Sequence, residues 1–185
     1  MENKPDQISV CICTYKRPKL LENLLNKLQD QQTDGLFTYS AVVVDNDRNQ
    51  SAGGIIESLR KVSKIDIGYH VEPEQNIALA RNRAVKNASG NYIAFIDDDE
   101  YPGPGWLVKL LKTCKEFNAD GVLGPVLPYF QTEPPTWVIK SKLWERETFE
   151  TGFILNDAKY TRTGNVLLKA SLFNEIEKPF DPRFG

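Results

Sequence analysis

Histidine occurs once, at His70, and cysteine three times, at Cys11, Cys13 and Cys114, in a chain of 185 residues. A single histidine excludes every mechanism and metal site that needs two, H-E-x-x-H sites among them. His70 itself sits late in a strand-like run and reads as structural. Three cysteines make no disulfide framework. Cys11 and Cys13 alternate inside an apolar run and Cys114 falls in a helical pattern, so all three read as core residues of a reducing compartment. No apolar run reaches the ~18 residues of a membrane-spanning helix. Clustered positive charge is lacking too: 23 Lys plus Arg stand against 25 Asp plus Glu, a formal net charge of -2, which argues against nucleic acid as a partner. Neither G-x-G-x-x-G nor G-x-x-x-x-G-K-[ST] occurs, which speaks against dinucleotide oxidoreductases and P-loop enzymes. What is left is a cytoplasmic chain one domain long, 41% hydrophobic, able to bury a core without staples and directed at a small molecule.

What is present is an alternation. Ile8 to Thr14 is an apolar, β-branched run suited to a buried strand. Pro18 then opens a helix whose Leu20, Leu21, Leu24, Leu25 and Leu28 share one face. Tyr39 to Val44 reads as a second strand, Gly53 to Val62 as a short helix, Ile65 to Val71 as a third strand and Ile77 to Asn87 as an Ala-rich helix. Tyr92 to Ile96 is a fourth strand, followed by a helix over Trp106 to Phe117 and a run from Val122 to Leu127. The spacing predicts an α/β fold with a mostly parallel sheet flanked by helices. Four prolines loosen the pattern between Pro125 and Trp144, which reads as an irregular segment or lid. Trp106, Trp137 and Trp144 are expected to pack, and Lys140, Lys142 and Arg146 form a modest basic cluster. Thr161 to Leu168 is a further strand candidate and Ala170 to Ile176 a short helix.

In a parallel α/β sheet, ligands collect beyond the carboxyl ends of the strands. Three polar clusters fall there: Thr14-Tyr15-Lys16-Arg17, Asp45-Asn46-Asp47 and Asp97-Asp98-Asp99-Glu100. Successive aspartates at the mouth of a buried strand repel one another, and a divalent cation would offset that cost. If strand geometry persists, Asp97 and Asp99 project to one side and share a site. Hard oxygen ligands favour Mg²⁺ or Mn²⁺ held jointly with phosphate oxygens, which makes a nucleotide diphosphate the natural co-ligand. With no glycine-rich cradle, its charge must be met by the metal and by basic side chains. Arg81 and Arg83 are the candidates, with a plain surface-helix role as the alternative for each.

The ordered set ISVCICTYKRP, VVVDND, EQNIALARNRA, GNYIAFIDDDE and TGNVLLKASLF resembles the family-two inverting glycosyltransferases of the GT-A fold, a Rossmann-like nucleotide-diphospho-sugar transferase architecture. The resemblance runs from Ile8 to Gly185. It implies one domain over residues 1–185, with a nucleotide-binding part at about 8–105 and a sugar and acceptor part at about 106–185. It implies donor nucleotide contacts from Thr14, Tyr15, Arg17, Asp45, Arg81 and Asp97, with Asp98, at a variable position of the pattern, grouped beside them. Asp99 would hold the metal of this Asp-x-Asp element, Mn²⁺ or Mg²⁺, and Gly164 and Asn165 would lie by the sugar and acceptor pocket. The implied partners are a nucleotide-diphosphate sugar donor and a saccharide or lipid-linked acceptor, in polysaccharide or glycoconjugate synthesis. A lipid-linked acceptor would bring peripheral contact with the inner face of the membrane.

The implied reaction is one in-line displacement at the anomeric carbon, in which a carboxylate takes the acceptor's proton. In the family that base comes from a Glu-Asp pair beyond a Phe-Asp-x-x-Phe segment. Here Phe180-Asp181-Pro182-Arg183-Phe184 is followed only by Gly185, so the base is expected beyond Gly185 and the acceptor part is expected to be incomplete. Glu175 and Glu177 read as surface residues. The alternative is a catalytically inactive nucleotide-sugar binding fragment. A phosphohydrolase of the haloacid-dehalogenase pattern fits less well, because its Asp-x-Asp follows the first strand, whereas this acidic run follows the fourth.

Overall fold

A computed structural model describes residues 5–130, 132–142 and 146–185. β1 (Asp6–Thr14), β2 (Phe37–Asp45), β3 (Ile67–Val71) and β4 (Tyr92–Phe95) pair in parallel, in the order β3-β2-β1-β4. Their side chains alternate into two apolar clusters. Ile8, Val10 and Ile12 enter one with Ala41, Val43 and Ala94, and Cys11, Val42, Val44, Ile93 and Phe95 enter the other. A strand buried on both faces is a continuous apolar run, which is why these four stand out in the sequence.

The first cluster is covered by leucine-rich helices: α1 (Pro18–Leu28), α2 (Gly53–Arg60) and α4 (Trp106–Glu116). The second is covered by α3 (Ile77–Asn87) through Ala80 and Ala84. Alanines let this helix lie close to the sheet, and the Asn76 side chain caps it by accepting from Leu79 N at 3.0 Å. Gly90 turns the chain back from α3 into β4; a β-carbon there would fall on Gln7 O, so only glycine lets the two segments pass.

The other half of the sheet departs from the expected pattern. β5 is Gly121–Leu123, shorter than the run Val122 to Leu127, and β6 is Val166–Lys169, shorter than Thr161 to Leu168. β6 inserts between β4 and β5 and is antiparallel to both. Pro125 stops β5, because proline offers no ladder donor; just before it, Gly124 N donates to Asn165 O at 2.8 Å. Ala170 to Phe173 forms a 3-10 turn and not a helix reaching Ile176. The proline-rich segment holds a six-residue helix, α5 (Thr136–Ser141), with no buried residue. Trp106 is half-buried, whereas Trp137 is 69% exposed, since nothing described covers so short a helix. Trp144 lies outside the described residues. Cys11 and Cys114 are core residues, all three cysteines are free, and Cys13 is only partly buried. Among the described residues no helix is long and apolar enough to cross a membrane.

Candidate functional site

The carboxyl ends of β1, β2 and β4 lie side by side, so the segments after them converge on one edge of the sheet. Two adjoining depressions occupy that edge. One, of about 540 Å³, is lined by Cys13, Thr14 and Arg17 after β1, by Asp97, Asp98 and Asp99 after β4, and by Asn76 and Ile77 where α3 begins. The other, of about 520 Å³, lies between Lys16, the loop Asp47 to Asn49 and Pro73-Glu74. Tyr15, Asn46 and Gln75 line both and separate them. Both sizes suit a ligand of nucleotide scale.

The acidic segment is not a continuation of β4. The strand ends at Phe95, and a backbone bond from Glu100 N to Asp97 O at 3.1 Å closes a turn. The turn aims Asp98 inward, where it is 4% exposed, and leaves Asp97 and Asp99 exposed on the cleft side. The two outer aspartates therefore do share the cleft, by turn geometry and not by strand alternation. Asp98 accepts from Thr14 Oγ1 at 2.7 Å and from Arg17 Nη1 at 3.1 Å. The same Arg17 nitrogen lies 3.1 Å from Asp99 Oδ2. Part of the compensation expected of a cation is thus supplied by arginine.

Although Asp97 is open on its cleft side, desolvation by the protein around it raises its carboxyl above the ordinary range, with the Arg81 charge opposing and the Asp99 charge reinforcing. Burial also raises Asp98, against the Thr14 hydroxyl and Arg17. Glu100 is pushed up to about 7, by burial first and then by the neighbouring Asp97 charge. Among the described residues no three His, Cys, Asp or Glu side chains are grouped so as to hold a metal on their own. The donor set that is present, exposed Asp97 and Asp99 at the mouth of a cleft, fits an ion that takes one or two carboxylates and completes its shell with phosphate oxygens and water.

Arg81, half-buried on α3, lines neither depression, and its charge acts on Asp97 and Cys13 from a distance. Arg83 turns elsewhere and pairs with Glu72 at 2.9 Å. Asp45 lies beneath the site and not in its wall. Its carboxylate is fully buried and accepts from Ala52 N (2.8 Å), Asp47 N (3.1 Å) and Tyr69 Oη (2.9 Å), so it shapes the loop that lines the second depression. Asn165, in a left-handed conformation, accepts from Trp106 Nε1 at 2.6 Å and donates to Pro125 O at 2.7 Å. Gly164 lies directly under the acidic turn: a β-carbon on it would stand 2.8 Å from Glu100 Oε1 and 3.0 Å from Asp97 Oδ2.

Sequence reasoning named Asn46 only as a member of the Asp45-Asn46-Asp47 cluster and missed Gln75 and Asn76. Asn46 holds the segment before α3 by donating to Glu72 O (2.9 Å) and Glu74 O (2.6 Å) and accepting from Asn76 N (2.9 Å). Gln75 accepts from Tyr15 Oη at 3.0 Å. Only Asn76 carried a signal, an asparagine directly before an apolar helix.

A four-stranded parallel core with an antiparallel flank, helices on both faces and a polar cleft around an aspartate turn define a GT-A glycosyltransferase domain. The sequence profile described as "Glycosyl transferase family 2" matches residues 9–176, and the chain belongs to that family. It is 34% identical over 162 residues to the succinoglycan biosynthesis protein ExoM of Rhizobium meliloti (strain 1021), covering 84% of this chain and 52% of that one. It is 29% identical over 130 residues to the glycosyltransferase GlyA of Streptococcus pneumoniae serotype 4, covering 69% of this chain and 18% of that one. In structure it matches residues 1-349 of S. aureus TarS in complex with UDP, with a TM-score of 0.70 at 22% identity over 91% of this chain and 48% of that one. A mannosyltransferase of Pyrobaculum calidifontis, in complex with GDP-Man and Mn²⁺, matches with a TM-score of 0.58 at 20% identity, over 66% of this chain and 36% of that one. The chain thus spans about half the length, or less, of these relatives.

Proposed function

We propose that this chain binds a nucleotide-diphosphate sugar in the cleft between β1, β4 and α3 and belongs to an enzyme that passes the sugar to an acceptor hydroxyl with inversion. The observation that carries the reading is the convergence of Thr14, Arg17 and the aspartate turn at one mouth. Tyr15, Asn46 and Gln75 divide the cleft, so the base would sit toward Lys16 and Asp47 and the diphosphate toward Asp97 and Asp99. Asp99, with Asp97 beside it, would hold Mn²⁺ or Mg²⁺, and such an ion, when bound, neutralises charge developing on the leaving diphosphate. Arg17 holds the turn in shape and Arg81 supplies a fixed positive charge from the α3 side of the cleft. Support comes from the UDP carried by TarS and the GDP-Man and Mn²⁺ carried by the mannosyltransferase.

Polysaccharide synthesis is the setting, supported by the likeness to ExoM. The acceptor is a saccharide or a lipid-linked saccharide. Peripheral contact with a membrane face would serve the second, and exposed Trp137 and Ile139 beside Lys140 support it.

Donor binding without transfer is a second reading. In its favour, the described side-chain carboxylates lining the depression at the acidic turn are Asp97, Asp98 and Asp99, which the donor and its ion would engage. Calorimetry with UDP, GDP and TDP, with and without Mn²⁺, on this chain and on Asp99→Ala, tests the main reading. Metal-dependent binding of one nucleotide that is lost in the variant is expected, and absence of binding to all three would sink it. Sugar transfer by the purified chain would sink the second reading.

A further inference from the structure

The segment after β6 returns to the site. Phe180 lies against α3, and the Asn82 side chain grips its backbone twice, donating from Nδ2 to Phe180 O at 2.7 Å and accepting from Phe180 N at 2.9 Å. Asn76, at the start of the same helix, donates to Pro182 O at 2.8 Å. Two asparagines on one helix thus hold a segment about a hundred residues away in sequence. The Phe180 ring meets Phe95, the last residue of β4, edge to face with centroids 5.6 Å apart. Its face carries the Arg81 guanidinium, with Cζ 5.9 Å from the ring centre. The ring therefore stands on the strand that leads into the aspartate turn and lies within cation–π range of Arg81.

We infer that Phe180, clamped by Asn82, is a positioning residue that holds the Arg81 guanidinium on the α3 side of the cleft, from where its charge acts on the diphosphate of the donor. An arginine that must be ordered at the moment of binding loses rotamer freedom there, and one already resting on a ring face does not. The clamp pairs both backbone polar groups of the half-buried Phe180 and so fixes where its Cα sits, while the edge-to-face contact with Phe95 sets the ring. Phe180 also packs in the cluster around Phe95, so a purely structural role is the competing account.

The inference rests on the donor reading above, and the test separates the two. Phe180→Leu keeps apolar bulk but removes the ring face. With Mn²⁺ present, it is expected to weaken UDP binding about fivefold to tenfold, leave uridine binding unchanged, and weaken UDP no further when combined with Arg81→Ala. Phe180→Tyr restores affinity, and Asn82→Ala moves it in the same direction as Phe180→Leu. In the chain without ligand, the Arg81 Nε–H resonance shifts when the ring is removed, a contact readout independent of any donor. Equal losses for UDP and uridine, additive effects with Arg81→Ala, or an unmoved Arg81 resonance would overturn the inference. A moved resonance in a chain that binds no nucleoside diphosphate would overturn the donor reading, and with it the role assigned to the contact.

Discussion

One nitrogen of Arg17, on the loop after β1, bridges Asp98 and Asp99 on the turn after β4, at 3.1 Å from an oxygen of each. The bridge joins an arginine 52% exposed to one aspartate only 5% exposed and another 54% exposed in their side chains, so it spans the boundary between core and solvent. Arg17→Ala leaves Asp98 with Thr14 as its remaining partner. It is expected to cost about 1 kcal/mol in urea unfolding, the modest figure that solvent screening allows, and to weaken UDP binding at least about tenfold by calorimetry.

The buried carboxylate of Asp45 gives a sharper expectation. Removing it strands two backbone N–H groups and the Tyr69 hydroxyl in the core. Asp45→Ala should therefore cost about 3 kcal/mol in chemical denaturation, and Tyr69→Phe about 1 kcal/mol. A direct ligand role without a structural one predicts the opposite pattern: lost affinity at unchanged stability.

Glu100 makes stability depend on pH. Its carboxyl has an ordinary value of 4.5 in the unfolded chain and is pushed up to about 7 in the fold, by burial and then by Asp97. The native state therefore holds the extra proton, and this contribution is fully present below about 4.5 and lost as pH rises through about 7. Glu100→Gln is expected to match the parent in urea midpoint on the acid side of that window and exceed it on the alkaline side. A constant gap across the window would refute the assignment.

Gly164→Ala tests how closely the loop before β6 approaches the turn. The added methyl group would crowd the carboxylates of Glu100 and Asp97, while the backbone there needs no glycine-only conformation. The Glu100 side chain can swing away, so the fold should lose less than about 1 kcal/mol. Displacement of Asp97 should weaken Mn²⁺-dependent UDP binding several-fold, read by titration at fixed metal.

The parallel half of the sheet was legible because Ile8 to Thr14 and Tyr39 to Val44 are apolar on both faces and stand out from their surroundings. β6 was placed but overextended: four residues take their pairing from β4 and β5, and no local pattern marks where that begins. The aspartate turn was legible as an acidic cluster beyond the end of a strand and misread as geometry, since strand alternation stops at Phe95. The inward orientation of Asp45 could not be read, because two of its donors are backbone N–H groups of the following loop and the third, Tyr69, lies on another strand. Asn46 acts through three hydrogen bonds to the segment before α3 and Gln75 through one to Tyr15, and such bonds between loops leave no periodic trace in a sequence.

The insertion of β6 between β4 and β5 also sets an order of events. The far edge of β4 is completed by residues made some seventy positions later. As the chain is synthesised, β1, β2 and β3 can pair while β4 still presents an open flank, and that flank closes only after Val166–Lys169 has emerged and slotted in. The strand that leads into the aspartate turn is therefore among the last to acquire both neighbours.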